Sequence, residues 1–184
     1  AGSGSNFDCG GSGSITMQDC DTSGANDQNY QITSTGTVTI NGGTISDAGD
    51  DGISCHADSN IIVSNATISD NGQGFNNIAN PTITFEDCIF DGNTQHIIAA
   101  VDAASRVRRC LFTSTTSTTT PPLSGSLTYD YCVFDHRTQA TGQEIFRAEG
   151  AGKVINLNNC LVLGSTGGSS ILRSLSSGVA NVTN

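Results

Sequence analysis

The sequence predicts an all-β fold: a single-stranded right-handed parallel β-helix, a solenoid of about seven rungs with three short strands in each. Three observations predict it. A pattern of apolar and polar residues recurs near every 22 residues, each repeat alternates with a period of two, and a Gly, Asn or Asp tends to stand at one fixed place between two strands.

The repeat is visible when ITMQDC (Ile15–Cys20), VTINGG (Val38–Gly43), IIVSNA (Ile61–Ala66), ITFEDC (Ile83–Cys88), SRVRRC (Ser105–Cys110), LTYDYC (Leu127–Cys132) and INLNNC (Ile155–Cys160) are aligned. Their last residues are separated by 23, 23, 22, 22, 22 and 28 positions. That period is too short for paired-helix repeats and suits a coil of short strands.

In the first strand, the third position before the Cys column is Met17, Ile40, Val63, Phe85, Val107, Tyr129 or Leu157. These apolar residues alternate with polar ones, the signature of a strand with one buried face. In the second strand the inward positions are the Cys column itself and Thr22, Ile45, Ile68, Phe90, Phe112, Phe134 and Val162. The phase shifts by one between the strands, at Asp19, Gly42, Asn65, Asp87, Arg109, Tyr131 and Asn159. Five of these seven are Gly, Asn or Asp, the types that tolerate a left-handed backbone, so a sharp corner is expected there. A third strand follows a loop of varying length, with Tyr30, Ile53, Phe75, Ile97, Leu123, Ile145 and Ile171 inward. With rungs ~4.8 Å apart, the rod is about 34 Å long. Residues 1–14 read as an irregular N-terminal segment and 15–184 as the β-helix domain.

Composition bounds the function. Charged residues are 13% of the chain, against roughly 25% in an average domain. The net charge is −10 with seven Lys and Arg, so no basic footprint for nucleic acid exists. No apolar run is long enough for membrane insertion. The start Ala1-Gly2-Ser3-Gly4-Ser5 fits a mature N-terminus and equally an arbitrary boundary. An extracellular or cell-surface location is expected.

The chain has seven Cys and no CxxC pair. Cys20, Cys88, Cys110, Cys132 and Cys160 share one inward column, completed by Gly43 and Ala66, and are expected to pack as small apolar residues. A line of thiols is the wrong shape for tetrahedral zinc.

The rung spacing, the inward columns and the Asn/Asp/Gly corner resemble the pectin-lyase-like superfamily over roughly residues 15–180. Lyases, hydrolases, tailspikes and adhesins share that fold, so the resemblance implies architecture more than activity. Gly49-Asp50-Asp51-Gly52 is similar to the Gly-Asp-Asp region of polygalacturonases, which implies Asp50 and Asp51 as catalytic carboxylates. One rung on, where that family has Gly-His-Gly, this chain has Asn71-Gly72-Gln73-Gly74, and the family's Arg-Ile-Lys motif has no counterpart. Asp-rich turns are the plainer reading. A lyase reading would need calcium, for which Asp50, Asp51 and Glu144 are the candidate oxygen ligands, with His56 and His96 on the same outer face. The base is missing from that face: Lys153 and the cluster Arg106, Arg108 and Arg109 lie elsewhere.

Asn65 and Asn181 stand in N-glycosylation patterns, and Thr115, Thr116 and Thr118 lie in a hydroxyl-rich run that fits O-glycosylation. Residues 179–184 begin a further repeat without an evident polar cap. The expected function is therefore an extracellular structural module, filament-forming and glycosylated, that self-associates end to end through its terminal rungs. A polysaccharide lyase or hydrolase acting on acidic glycans is the alternative, as is a glycan-binding tailspike or adhesin segment.

Overall fold

The structure is a computed structural model that describes residues 4–100, 104–113, 122–124, 126–135, 137, 146–149, 154–164, 172–175 and 179–183. Every strand pairing in it is parallel, and all but two of the described strands fall into three long sheets that wrap one core.

The first-strand sheet runs β2 (Ile15–Gln18), β5 (Thr37–Asn41), β8 (Asn60–Ser64), β11 (Thr82–Glu86), β14 (Arg106–Arg108), β17 (Ser126–Asp130), β20 (Val154–Asn158) and β23 (Val179–Thr183). After the corner comes the second sheet: β3 (Thr22–Ser23), β6 (Thr44–Ser46), β9 (Thr67–Ser69), β12 (Ile89–Asp91), β15 (Leu111–Thr113), β18 (Val133–Asp135) and β21 (Leu161–Leu163). The third sheet holds β1 (Phe7–Cys9), β4 (Tyr30–Ile32), β7 (Asp51–Cys55), β10 (Gln73–Asn77), β13 (Gln95–Ala100) and β16 (Pro122–Ser124). The strands β19 (Phe146–Glu149) and β22 (Leu172–Leu175) pair with each other.

Register follows the predicted columns. Ile40 pairs with Val63, Val63 with Phe85, Phe85 with Val107, and Val107 with Tyr129. All five are fully buried. Phe90, Phe112 and Phe134 stack face to face in the second sheet, with centroids 4.8 Å apart at each step. Tyr30, Ile53, Phe75 and Ile97 are buried as expected, while Ile145 and Ile171 lie outside the described residues and the side chain of Leu123 is not described.

All seven predicted corner residues have positive φ, between 49° at Arg109 and 79° at Gly42. Arg109 and Tyr131 adopt it despite their bulk, because the ladders on both sides fix the bend. The following residue is equally constrained at Gly43, where a Cβ would come within 2.2 Å of the Cys20 carbonyl oxygen.

Two differences from the sequence reading stand out. The segment 1–14 is not wholly irregular: β1 pairs with β4, Phe7 stacks on Tyr30 at 5.1 Å, and Cys9 is buried. A three-residue strand is too short to show periodicity. The loop after the second strand is also ordered around a second left-handed corner at Gly24, Asp47, Asp70 and Gly92, each four residues beyond the Cys column. That fixed offset and the Gly/Asp composition were present in the sequence.

Candidate functional site

The second corner builds a polar spine inside the coil. Its next residue is Ala25, Ala48, Asn71 or Asn93, and the two asparagines are buried. Asn71 donates its side-chain N–H to the Ile45 carbonyl at 3.1 Å and to Asn93 Oδ1 at 2.9 Å, and its Oδ1 accepts the Ala48 N–H at 3.0 Å. Asn93 donates to the Ile68 carbonyl at 2.8 Å. Asn29, just before β4 on an earlier rung, donates to the Ser46 carbonyl at 2.7 Å. Gly52 and Gly74 leave the room, since a Cβ at either would crowd Asn71 or the His96 carbonyl.

The spine explains His96. The sequence predicts it on the outer surface, whereas the structure buries it fully, edge-on to Phe90 at 6.1 Å and with Nδ1 3.3 Å from Asn93 Nδ2. It follows Gly52 and Gly74 in the ladder, so it occupies the inward position those glycines vacate.

Asp50 is exposed on the turn, and Asp51, the first residue of β7, is only 2% exposed. Asp51 Oδ2 accepts from Asn76 Nδ2 at 3.3 Å, and Ser54 Oγ lies 3.1 Å from Nε2 of the exposed His56. Asp51 is in register with Gln73, and Gln73 with Gln95, so a carboxyl and two amides form one ladder. Asp51 Oδ1 and Gln73 Oε1 have no hydrogen-bond donor among the described residues. Burial pushes the Asp51 carboxyl up to about 6, reinforced by the Asp50 and Asp27 charges and opposed by the Ser54 and Asn76 hydrogen bonds.

That shift has a consequence for stability. The folded chain holds the Asp51 proton more tightly than the unfolded chain, whose carboxyl has the ordinary value of 3.8. The contribution is complete below pH 3.8 and is lost as pH rises through about 6. We expect urea midpoints to fall over that window by the equivalent of about 2 kcal/mol, and the fall to disappear in Asp51→Asn. An equal fall in the variant would assign the effect to another group.

Among the described residues, no three His, Cys, Asp or Glu side chains converge on one point, and no concave pocket opens at the surface. Calcium takes six to eight oxygens. Asp50 and Asp51 alone do not make such a cage, and Glu144 lies outside the described residues. The arginine cluster is occupied by its own acids: Arg109 bonds Asp87 at 2.8 Å and Glu86 at 2.7 Å, Arg108 reaches Glu86 at 3.6 Å, and Arg106 reaches Asp130 at 3.9 Å. Arg109 beside Asp87 holds that carboxyl below its usual range. Asn65 is exposed at a corner and donates its amide to Asn41 at 2.8 Å; Asn181 is exposed and donates to Asn156 at 2.8 Å. Thr115, Thr116 and Thr118 lie outside the described residues.

The family model for the right-handed β-helix region matches residues 5–184, nearly the whole chain and every strand described above. The chain belongs to the right-handed β-helix family. Membership fixes the winding of this β-helix and accords with the pectin-lyase-like resemblance. No curated protein matches it, and no solved structure matches it.

Proposed function

We propose that this β-helix is an extracellular structural module that associates end to end, forms filaments and carries glycans on its surface. One observation carries the reading. Val182 continues the inward column in register with Leu157, yet it is 63% exposed, because no described residue pairs with the outer edge of β23. Its neighbour Val179 is exposed as well. In this reading a rung of a second copy covers Val182, because burying its apolar surface is favourable. At the other edge, β2 offers Met17 in the column of Val182 and Ile15 in the column of Ala180. Pairing β23 of one copy with β2 of the next would continue both columns, and a head-to-tail contact need not close.

The test is particle length, by sedimentation and electron microscopy at rising concentration. The unmodified chain should form rods that are multiples of one unit, and Val182→Asp should leave single units with an unchanged β-sheet spectrum. Single units from the unmodified chain at high concentration would overturn the reading.

A second reading is favoured by Asp51: a buried carboxyl that titrates near 6 suits a general acid. In that reading the β-helix cleaves an acidic polysaccharide, either as a hydrolase with Asp51 as the acid and Asp50 as the partner carboxylate, or as a lyase with calcium held by the ionised Asp50, Asp51 and Glu144. Asp51→Asn would then abolish cleavage.

A further inference from the structure

The second sheet changes character along the rod. Its outward residue just past the Cys column is Asp21, Thr44 and Thr67 in the first three rungs, then Ile89, Leu111, Val133 and Leu161 in the next four. These four stand in direct register, Ile89 with Leu111, Leu111 with Val133, and Val133 with Leu161. Phe90, Phe112, Phe134 and Val162 beside them pack into the core, so β12, β15, β18 and β21 are apolar on both faces. A parallel strand that reads this way is normally covered on both sides. Here the outer side is open: Ile89 is 40% exposed and Leu161 is 52% exposed, with Leu111 and Val133 half-buried between them. Tyr131 at the corner adds a ring that is 60% exposed. A patch on the order of a few hundred Å² is the size that marks an interaction site.

Charge decides what fits it. The ridge is flanked at the corner by Asp87, Arg109, Tyr131 and Asn159, and on its other side by Asp91, Thr113, Asp135 and Leu163. A second copy laid on it in the same direction sets Asp87, Arg109, Asp91 and Asp135 each against its own image. It also stacks the acidic half of the chain on itself, because residues 1–100 hold twelve Asp and Glu and no Lys or Arg. A copy turned end for end, about a two-fold axis lying along the strands between Leu111 and Val133, brings no like charges of these flanks together. Ile89 then meets the partner's Leu161, and Leu111 meets the partner's Val133, so every aliphatic residue of the ridge is covered. Asp87 meets the partner's Asn159, Thr113 the partner's Asp135, and Asp91 the partner's Leu163. Arg109 meets the partner's Tyr131, and a guanidinium is attracted to a tyrosine face.

We propose that this ridge binds a second copy of the chain side by side and antiparallel, as a two-fold dimer. The surface buried is below the ~1,200 Å² of the smallest stable interfaces, so the pair forms only at high protein concentration. The contact is lateral and uses neither β2, β23 nor the Asp51 face, so it stands apart from end-to-end association.

The experiment uses the whole chain with Val182→Asp present throughout, which keeps end-to-end contact from contributing. Sedimentation equilibrium over a wide concentration range should show monomer and dimer, and small-angle scattering of the dimer should show a thicker rod of unchanged length. Leu111→Asp should weaken pairing more than about tenfold, because it sets a charge against an apolar wall. Thr84→Asp, which adds the same charge to the outer face of the first sheet, should leave pairing unchanged. Circular dichroism checks the fold of each variant, whose altered side chain points away from the core. Direction and register are tested by mixing. Ile89→Arg alone and Leu161→Asp alone should each pair poorly, while an equal mixture should pair at least about tenfold more tightly than either, because arginine then faces aspartate in one contact and leucine faces isoleucine in the other. Single units at every concentration would overturn the dimer, as would undiminished pairing in Leu111→Asp or association that lengthens the rod without thickening it. A mixture that pairs no better than its components would overturn the antiparallel arrangement.

Discussion

Phe112→Ala is expected to destabilise the protein by about 4 kcal/mol, the largest effect of any single truncation considered. Its ring is the middle one of a stack, 4.8 Å from Phe90 on one side and from Phe134 on the other. It also meets Tyr129 edge-on at 5.9 Å and lies 5.6 Å from His96. Removing it empties a fully buried site whose walls include residues of four other ladder strands, and ladders cannot collapse into the space without breaking register. For a chain of this size, 4 kcal/mol corresponds to a fall of about 10 °C in Tm. The end members of the stack should cost less, since each lacks one stacked neighbour. Costs below about 1 kcal/mol for Phe90→Ala, Phe112→Ala and Phe134→Ala alike would contradict the inward phase of the second strand.

Asn71→Ala is expected to cost about 3 kcal/mol through a different mechanism. The side chain fills little apolar volume, but it satisfies the Ala48 N–H, the Ile45 carbonyl and Asn93 Oδ1. These groups are inside the coil, so alanine leaves the Ala48 N–H without its acceptor and takes a donor from the Ile45 carbonyl, while Asn93 Oδ1 keeps the Asn71 backbone N–H at 3.1 Å; an unpaired buried group costs more than a net hydrogen bond contributes. Denaturant midpoints measure the total. Hydrogen exchange tests the cause, because the Ala48 amide should lose protection while amides of distant rungs such as Leu161 keep theirs. A uniform loss of protection over all rungs would mean that Asn71 acts through global packing instead.

Most of the architecture was legible because a solenoid writes its geometry as a period. Each inward column contacts its own image one rung away, so a local pattern repeated seven times specifies non-local pairing. The corner before the Cys column was legible for a related reason: a left-handed residue inside a strand pair favours Gly, Asn and Asp. Arg109 and Tyr131 depart from that preference and were placed at the corner by register alone. The second corner was missed although Gly24, Asp47, Asp70 and Gly92 keep a constant offset, because the loop beyond them varies in length and masks the alignment.

The candidate site was harder to read. Asp50 and Asp51 are adjacent in sequence, but one faces water and the other is enclosed, a distinction set by strand β7 and by Asn76 on the next rung. Sequence alone determined the winding into rungs, the inward columns, the first corner and the alignment of the thiols, since all of these repeat locally. Only the tertiary structure decided the burial of Asp51 and His96, the asparagine spine and the occupation of the arginines by Glu86, Asp87 and Asp130. Those properties depend on which single side chain stands above or below in the neighbouring rung, and a period does not specify that.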